Sequence, residues 1–378
     1  MDLEEKKYWV GFSVFEGIGP LRFKLLLDYF GSAKNGYSAS EKELLSVGLS
    51  EKLVLKFLDF RKNFDLDSYL LRLDKLGIKA ICSEEESYPK LLKEIVDKPA
   101  VLYVKTQDAE GPATIFTNFN GAGKTQNIFG NEAIAVVGTR KVTGYGRQVT
   151  EMITEGLVAA GLVVVSGLAR GVDKISHETA LGNNGLTIAV LGCGLDLVYP
   201  TEHQGLAERI IESGGAVISE YPLGVPAMPG NFPARNRIIS GLSLGVVVTE
   251  AAEDSGSLIT ASNAAEQGRE VFAVPGPITS PLSFGTAELI KKGAKLVRGV
   301  NDILEELGIK GKAKGVEEIG ELGTEERMLF DLLQNENLHI DEICRRTQTD
   351  SAKIGALLSI MEIKGIIKNF GEGVYGLK

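Results

Sequence analysis

The stretch Ala133-Ile134-Ala135-Val136-Val137-Gly138-Thr139-Arg140 begins a new pattern in the chain: an apolar, β-branched run that ends in glycine and arginine. Six further runs of this kind follow, separated by helical stretches, at 162–165, 187–191, 216–219, 245–249, 270–274 and 294–297. Near-continuous apolar strands that alternate with helices are typical of a parallel sheet covered on both faces. The sequence therefore predicts a doubly wound, Rossmann-like α/β domain over residues 133–307.

The segments that follow these strands are rich in glycine and in side chains that bind anions. Ligands of doubly wound sheets lie beyond the carboxyl ends of the strands, and glycine lets the backbone approach a ligand closely. The residues at this edge that favour a polyanion are Gly138, Thr139, Arg140, Lys141, Ser166, Gly167, Arg170, Ser255 and Gly256. Turns alone do not require so many donors at one edge, so we predict a polyanion site there.

A second informative stretch, Phe232-Pro233-Ala234-Arg235-Asn236-Arg237, follows the fourth of these strands. Pro233 suits the first turn of a helix, where unpaired backbone N–H groups attract anions. Arg235 and Arg237 are candidate bidentate phosphate ligands, and Phe232 is a candidate platform for a base. Taken alone, a solvated helix start with two surface arginines explains the stretch equally well. Its place after the fourth strand favours the phosphate interpretation.

Other nucleotide-binding patterns are incomplete. Gly192-Cys193-Gly194 has Leu197 where a dinucleotide fingerprint has its third glycine, and residues 118–125 have Asn118 where a P-loop begins with glycine. The P-loop also needs a helix after its Lys-Thr pair, and the sequence after Thr125 is a poor helix former. No Ser-His-Asp or Cys-His grouping is evident, and His177 and His203 are interpreted as surface histidines.

The flanking regions predict separate domains. Residues 1–105 read as a helical domain of the SAM or helix-hairpin-helix kind, in which Gly17-Ile18-Gly19 is either a phosphate-binding turn or a plain hinge. Residues 106–132 form a polar inter-domain insertion, and residues 308–323 form a Gly/Lys/Glu linker. Residues 324–378 predict three helices and a hairpin, a winged helix. Its predicted recognition helix offers DNA only Lys353, so a protein-contact role is at least as plausible.

Composition limits the possible classes of function. The 378 residues are 44% hydrophobic and 24% charged, with a net charge of −9, as in an ordinary globular protein. Any nucleic-acid site must therefore be a focused patch. Three dispersed cysteines and three histidines without ligand spacing predict neither a metal site nor disulfides. With no signal-peptide core and no long apolar run, the expected location is cytoplasmic, away from membranes.

Taken together, these motifs resemble the DNA processing protein A family (DprA, also called Smf). The resemblance covers residues 133–300. It rests on Val137–Arg140, Ser166–Asp173, Gly192–Asp196 with Tyr199-Pro200, Ser219–Pro222, Phe232–Ile239, Ser255–Ala261 and Val271–Gly276. The insertion at 106–130 departs from the family's usual short connection.

The resemblance implies a non-enzymatic protein, without cofactor or metal, that binds single-stranded DNA. It implies protection of incoming strands in natural transformation, loading of the RecA recombinase, and a homodimer formed through the Rossmann-like domain. Arg140, Lys141, Arg170, Arg235 and Arg237 would then bind phosphates, with the N–H groups of Gly138, Thr139, Gly167 and Gly256. Phe232 would stack on a base, and Asn236 would bond a base edge.

One enzymatic alternative stays open at this point. The glycine-rich strand ends are similar to those of lysine-decarboxylase-like phosphoribohydrolases, in which Glu220 or Glu250 would act on a nucleoside monophosphate. Those enzymes carry a Pro-Gly-Gly-x-Gly-Thr run that this chain lacks. The binding protein is therefore the preferred interpretation.

Overall fold

The computed structural model describes residues 1–107, 118–120, 124–126, 128–309, 323–333, 336–363, 366–371 and 373–377. The chain forms two compact units, residues 1–312 and 313–378. No helix among the described residues combines the length and the apolar character needed to cross a bilayer.

The first unit begins with six helices around an aromatic core. They are α1 (Leu3–Val14), α2 (Pro20–Phe30), α3 (Ala33–Ser38), α4 (Glu41–Ser46), α5 (Glu51–Asn63) and α6 (Leu66–Lys75). The ring of Phe12 stacks on Phe57, with the centroids 5.1 Å apart. A turn that contains Gly17, at φ 113°, joins α1 to α2, so the two predicted helices and their glycine turn are confirmed, while a phosphate-binding role for the turn stays a prediction.

A nine-stranded sheet with its covering helices occupies the rest of this unit. Its elements, with a short hairpin inserted, are β1 (Ile78–Cys82), α7 (Lys90–Glu94), β2 (Val101–Lys105), β3 (Asn118–Asn120), β4 (Lys124–Gln126), β5 (Ala133–Val137), α8 (Gly144–Ala159), β6 (Val163–Ser166), α9 (Val172–Gly182), β7 (Thr187–Leu191), α10 (Gln204–Glu212), β8 (Ala216–Ser219), α11 (Asn231–Gly241), β9 (Gly245–Val248), α12 (Ser257–Glu266), β10 (Glu270–Ala273), α13 (Phe284–Lys291), β11 (Lys295–Leu296) and α14 (Val300–Glu306). All seven predicted apolar runs are strands, which confirms the doubly wound fold.

The strand order is β1-β2-β8-β7-β6-β5-β9-β10-β11. The seven strands from β8 to β11 in this order run parallel, whereas β1 and β2 add an antiparallel edge beside β8. The strand order changes direction at β5, because β6 to β8 extend to one side of it and β9 to β11 to the other. The carboxyl ends of the neighbouring strands β5 and β9 are therefore the switch point at which such sheets bind ligands.

Burial explains why the parallel strands lack polar alternation. All five residues of β5 are buried, because helices cover both faces of the sheet. Two clusters of core residues contain alternate positions of this strand: Ala133, Ala135 and Val137 belong to one, and Ile134 and Val136 to the other.

The helical segment and the sheet are directly connected. The antiparallel strands β1 and β2 lie within the range predicted as the N-terminal domain, yet they pair into the large sheet through β8. The backbone N–H of Leu223 donates to the Tyr69 hydroxyl at 2.9 Å, and Arg72 pairs with Asp196 at 2.9 Å.

The near-match to a P-loop lies in the inserted hairpin. Strands β3 and β4 pair antiparallel, so Lys124 and Thr125 are in a strand. A P-loop places its Lys-Thr pair at the start of a helix. This confirms that the match is incidental, although Gly121, Ala122 and Gly123 lie outside the described residues.

The second unit is a small helical domain with a three-stranded sheet. Its elements are α15 (Thr324–Leu333), β12 (Leu338–His339), α16 (Ile340–Thr347), α17 (Ser351–Ile363), β13 (Ile367–Asn369) and β14 (Val374–Leu377). The sheet order is β12-β14-β13, and Leu329, Ile343, Leu358 and Ile367 lie in the buried core. This arrangement confirms the predicted winged helix. Lys353, on the predicted recognition helix, pairs with Glu325.

Candidate functional site

A crevice of about 690 Å³ opens at the switch point of the sheet. Its walls come from the segment after β5, the loop before α9, and the N-terminal turns of α11 and α12. The predicted site residues that line it are Gly138, Thr139, Arg140, Lys141, Phe232, Arg235, Asn236, Ser255 and Gly256. Gly167 and Arg170 line a smaller adjoining pocket, which shares Arg140, Phe232 and Arg235 with the crevice.

The segment after β5 is held in place by its own backbone. The Thr139 N–H donates to the carbonyl of Glu250 at 2.7 Å, and the Lys141 N–H donates to the Thr139 hydroxyl at 3.1 Å. Gly171 has φ 77° and approaches so closely that a Cβ atom there would overlap the Thr139 carbonyl oxygen. The Thr139 N–H that was predicted to bind a phosphate is therefore already paired within the fold, as is the Lys141 N–H, whereas the Arg140 and Lys141 side chains are exposed.

Arg140 and Lys141 are exposed, and neither has a salt-bridge partner among the residues that the structure describes. Arg170 is also exposed, but it pairs with Glu202 at 2.6 Å. The charge on Arg140 and Lys141 is therefore available to a ligand, whereas that on Arg170 is partly balanced.

Two aromatic rings lie beside these cations. The guanidinium carbon of Arg140 is 5.5 Å from the ring centroid of Phe232, in a cation–π geometry. The Tyr199 ring lies 5.5 Å from that of Phe232, and Tyr199 is 47% exposed. Tyr199 was not among the site residues predicted from sequence. Its position beyond the glycine-rich end of β7, eight residues after Leu191, was the signal present in the sequence.

Arg235 lies beneath the crevice and is only 4% exposed. Its Nη1 donates to the carbonyls of Gly167, at 2.8 Å, and Val190, and its Nε donates to the Asn236 side chain at 3.2 Å. Burial lowers the pKa of Arg235 to about 10, and the buried Asp173 carboxylate opposes that shift. The guanidinium is therefore charged at neutral pH, although its Nη1 is occupied by two backbone carbonyls.

Arg237 is not brought to the crevice. It pairs with Asp97 at 2.9 Å and with Glu220 at 2.7 Å, and its side chain is 12% exposed. Positions two apart on a helix point about 200° away from each other, so Arg235 and Arg237 face different sides of α11. Burial raises the pKa of the Glu220 carboxyl, while the Arg237 charge opposes the shift.

Of the remaining predicted residues, Ser166 lies in the interior, whereas Asn236, Ser255 and Gly256 line the crevice. Ser166 is fully buried, and its hydroxyl donates to the Val136 carbonyl at 2.7 Å. Asn236 donates to the Gly256 carbonyl at 3.2 Å, which ties α11 to the start of α12. At that start, the Ser255 and Ser257 hydroxyls are 2.8 Å apart, and a Cβ on Gly256 would meet no atom within 4 Å.

The prediction of surface histidines is wrong. His177 and His203 are 0% and 4% exposed, because both lie on inward-facing positions. Nδ1 of His177 lies 2.7 Å from the Thr187 hydroxyl, and Nδ1 of His203 lies 2.8 Å from the Leu168 carbonyl. Burial lowers the pKa of His177 to about 3, with the neighbouring His203 and Arg235 acting in the same direction.

The acids of the enzymatic alternative have structural partners. The Glu250 carboxylate accepts hydrogen bonds from the Thr143 backbone N–H at 2.9 Å and the Thr143 hydroxyl at 2.6 Å. Glu220 pairs with Arg237, and neither acid lines the crevice. Within the described ranges, no group of three or more His, Cys, Asp or Glu residues is placed to hold a metal ion.

Comparison with known proteins gives one consistent result. Residues 79–308 match the family described as DNA recombination-mediator protein A, and residues 317–370 match the DprA winged helix domain. Protein Smf of Escherichia coli is 44% identical over 264 residues. The matched region covers 70% of this chain and 66% of the E. coli protein, just under two thirds of its length.

Two solved structures are also similar. DNA processing protein A of Streptococcus pneumoniae superimposes with a TM-score of 0.66 at 33% identity, covering 81% of this chain and 99% of that one. DNA processing protein A of Helicobacter pylori gives a TM-score of 0.50 at 30% identity, covering 61% and 95%. The H. pylori structure is described as one that gives insight into a single-stranded DNA binding mode.

Proposed function

The chain belongs to the DNA recombination-mediator protein A family, and we propose that it binds single-stranded DNA in the crevice at the carboxyl ends of β5 and β9. One observation carries the proposal. Two exposed cations without acidic partners among the described residues, Arg140 and Lys141, lie with the Phe232 ring at the switch point of the sheet. Cationic grooves with aromatic platforms are the common way to hold single strands without reading their sequence.

The proposed contacts separate into phosphate and base sites. Arg140 and Lys141 bind phosphates, and Arg170 adds a third cation when the strand competes with Glu202. The open start of α12, at Ser255 and Gly256, receives a phosphate at its N–H groups. A base stacks on Phe232.

Support for the nature of the ligand comes from two directions. The net charge of −9 disfavours broad attraction of duplex DNA, whereas a focused patch suits one strand. The H. pylori relative is described as binding single-stranded DNA. In our proposal the protein acts by binding and not by catalysis, since Glu220 and Glu250 hold structural partners.

The finer elements of the proposal come from the family resemblance. The protein would protect incoming strands during natural transformation or recombination, load the RecA recombinase onto them, and form a homodimer through the Rossmann-like domain. A direct test is whether the protein accelerates RecA filament formation on single strands, with its mass in solution measured alongside. If RecA filament formation is not accelerated, loading of RecA is refuted. If the protein is a monomer throughout, the homodimer is refuted.

The salt dependence of binding tests the site itself. Each phosphate contact to a single strand contributes about −0.7 to the slope of log affinity against log salt. Arg140→Ala and Lys141→Ala should each weaken binding and make the slope about 0.7 less steep. Arg147→Ala is the matched control, because Arg147 is exposed on α8 but pairs with Glu151 and does not line the crevice. Equal effects of all three substitutions would contradict the assignment.

A further inference from the structure

Arg235 donates hydrogen bonds to groups within the protein, and these bonds have no part in binding a phosphate. The carbonyls of Gly167 and Val190, which lie just after β6 and near the end of β7, both accept hydrogen bonds from its Nη1. A Cβ added to Gly167 would lie 2.7 Å from the guanidinium carbon, so only glycine allows the flat guanidinium to pack there. Arg235 therefore joins the carboxyl ends of two neighbouring strands to the first turns of α11.

The same helical turn carries the ring of the proposed base platform. Phe232 precedes Arg235 by three residues, about one helical turn, so both lie on the same side of α11. A Cβ on Gly192 would be 3.2 Å from the Phe232 ring, which shows how closely the ring packs over the end of β7. Asn236 extends the connection to α12 through the Gly256 carbonyl.

Charge balance supports a fixed position for this arginine. Asp173 is buried, and its carboxylate lies near enough to Arg235 to feel its charge, although the two side chains are not within salt-bridge distance; the carboxylate accepts a hydrogen bond from the Ala169 N–H at 3.3 Å. Removing the Arg235 charge would leave the buried carboxylate without this nearby opposite charge, which is unfavourable. Moving Arg235 out toward a DNA strand would break the carbonyl contacts and weaken this charge interaction.

We infer that Arg235 is a positioning residue, which holds the Phe232 ring and the start of α11 against the ends of β6 and β7, and that it does not bind phosphate. This inference rests on the proposed function, because the role it assigns is the placement of the proposed base platform. Phosphate binding then falls to the exposed cations Arg140 and Lys141.

The first part of the test separates positioning from phosphate contact. Arg235→Gln removes the charge, and Arg140→Gln is the matched variant at an exposed site. We expect Arg235→Gln to weaken single-strand binding by on the order of tenfold with an unchanged salt slope, and Arg140→Gln to reduce the slope by about 0.7. A slope reduced by about 0.7 in Arg235→Gln would overturn the inference.

The second part uses Arg235→Lys, which keeps a positive charge beside Asp173 if the glutamine variant does not fold. It is combined with Phe232→Ala in a double-mutant cycle. Because Arg235 acts through the ring, the loss caused by Arg235→Lys should shrink to less than about twofold in the Phe232→Ala background. Additive losses would mean a merely structural role and would also overturn the inference.

A spectroscopic readout closes the test. A single strand with 2-aminopurine should lose fluorescence on stacking against Phe232 in the wild type, and less so in Arg235→Lys. Equal quenching in both proteins would overturn the positioning role. Absence of single-strand binding by the wild type would instead refute the proposed function, so the two failures are distinguishable.

Discussion

Phe232→Ala removes the only ring that the proposed function assigns to base stacking. The ring is half-buried, with Arg140 and Tyr199 on its flanks and Gly192 beneath it. Stacking of one base on an aromatic side chain contributes about 1–3 kcal/mol, so the dissociation constant should rise by about 5- to 150-fold. Phe232→Tyr keeps the ring and should bind nearly as tightly as the wild type.

The substitution should leave a folded protein. Truncating a fully buried phenylalanine to alanine costs about 3–5 kcal/mol, so a half-buried ring should cost roughly half as much. That loss is smaller than the usual stability of a folded domain, about 5–15 kcal/mol. Urea unfolding of each variant checks this before binding is compared.

Fluorescence anisotropy with a labelled single strand provides the assay. Phe284→Ala is the control, because Phe284 is 48% exposed at the start of α13 and does not line the crevice. If Phe232→Ala is folded and binds like the wild type, the base platform is refuted. If Phe284→Ala loses as much affinity, the effect is not specific to the crevice.

Two further predictions concern buried groups. Glu250→Gln should lower the free energy of unfolding by about 1.5–3 kcal/mol, because the charged acceptor for Thr143 is lost. Neither this variant nor the wild type should release a base from nucleoside monophosphates; wild-type release that Glu250→Gln abolishes would restore the enzymatic alternative. For His177, the pKa is about 3 in the fold against 6.5 for the free group, so its contribution to stability is present above pH 6.5 and lost as pH falls toward 3. For each unit that the pH falls below about 6.5, the free energy of unfolding should drop by up to about 1.4 kcal/mol more in the wild type than in His177→Asn. Parallel pH profiles of the two proteins would contradict the assignment.

The sheet was predictable because its strands are buried on both faces. Runs such as Thr187–Leu191 are apolar throughout most of their length, and their lengths and spacing suffice to indicate parallel strands. The strand order was not predictable in the same way. It depends on long-range pairing, such as that of β5 with β9, which no local pattern encodes.

The rim of the crevice was predicted better than the roles of its residues. Glycine-rich strand ends at Gly138 and Gly256 do meet there. The positions of the two arginines on α11 were only partly predictable from the sequence. Helical spacing alone indicates that Arg235 and Arg237 face apart, but the contact of Arg235 with the carbonyl of Gly167, 68 residues away, is known only from the fold.

The burial of His177 shows why polarity is a poor guide to exposure on this helix. On α9, Asp173, Ser176, His177 and Ala180 recur at helical spacing and are all buried. A mostly polar set of residues at this spacing looks like a solvated face. Here, however, the Ser176 hydroxyl bonds to the Asp173 carbonyl of the same helix and His177 bonds to Thr187 on β7, in place of water. The apolar residues Val172 and Ile175 of the same helix are buried as well, so its buried side is wider than the apolar residues alone indicate.

The most direct test compares one oligonucleotide as a single strand and as a duplex at about 50 mM and about 200 mM salt. With two to three phosphates held by Arg140, Lys141 and Arg170, the slope should be about −1.4 to −2.1, so the fourfold salt increase should weaken single-strand binding about 7- to 18-fold. The single strand should bind more tightly than the duplex at both salt concentrations. Equal or tighter duplex binding, or a single-strand affinity that does not change with salt, would contradict single-strand recognition in the crevice.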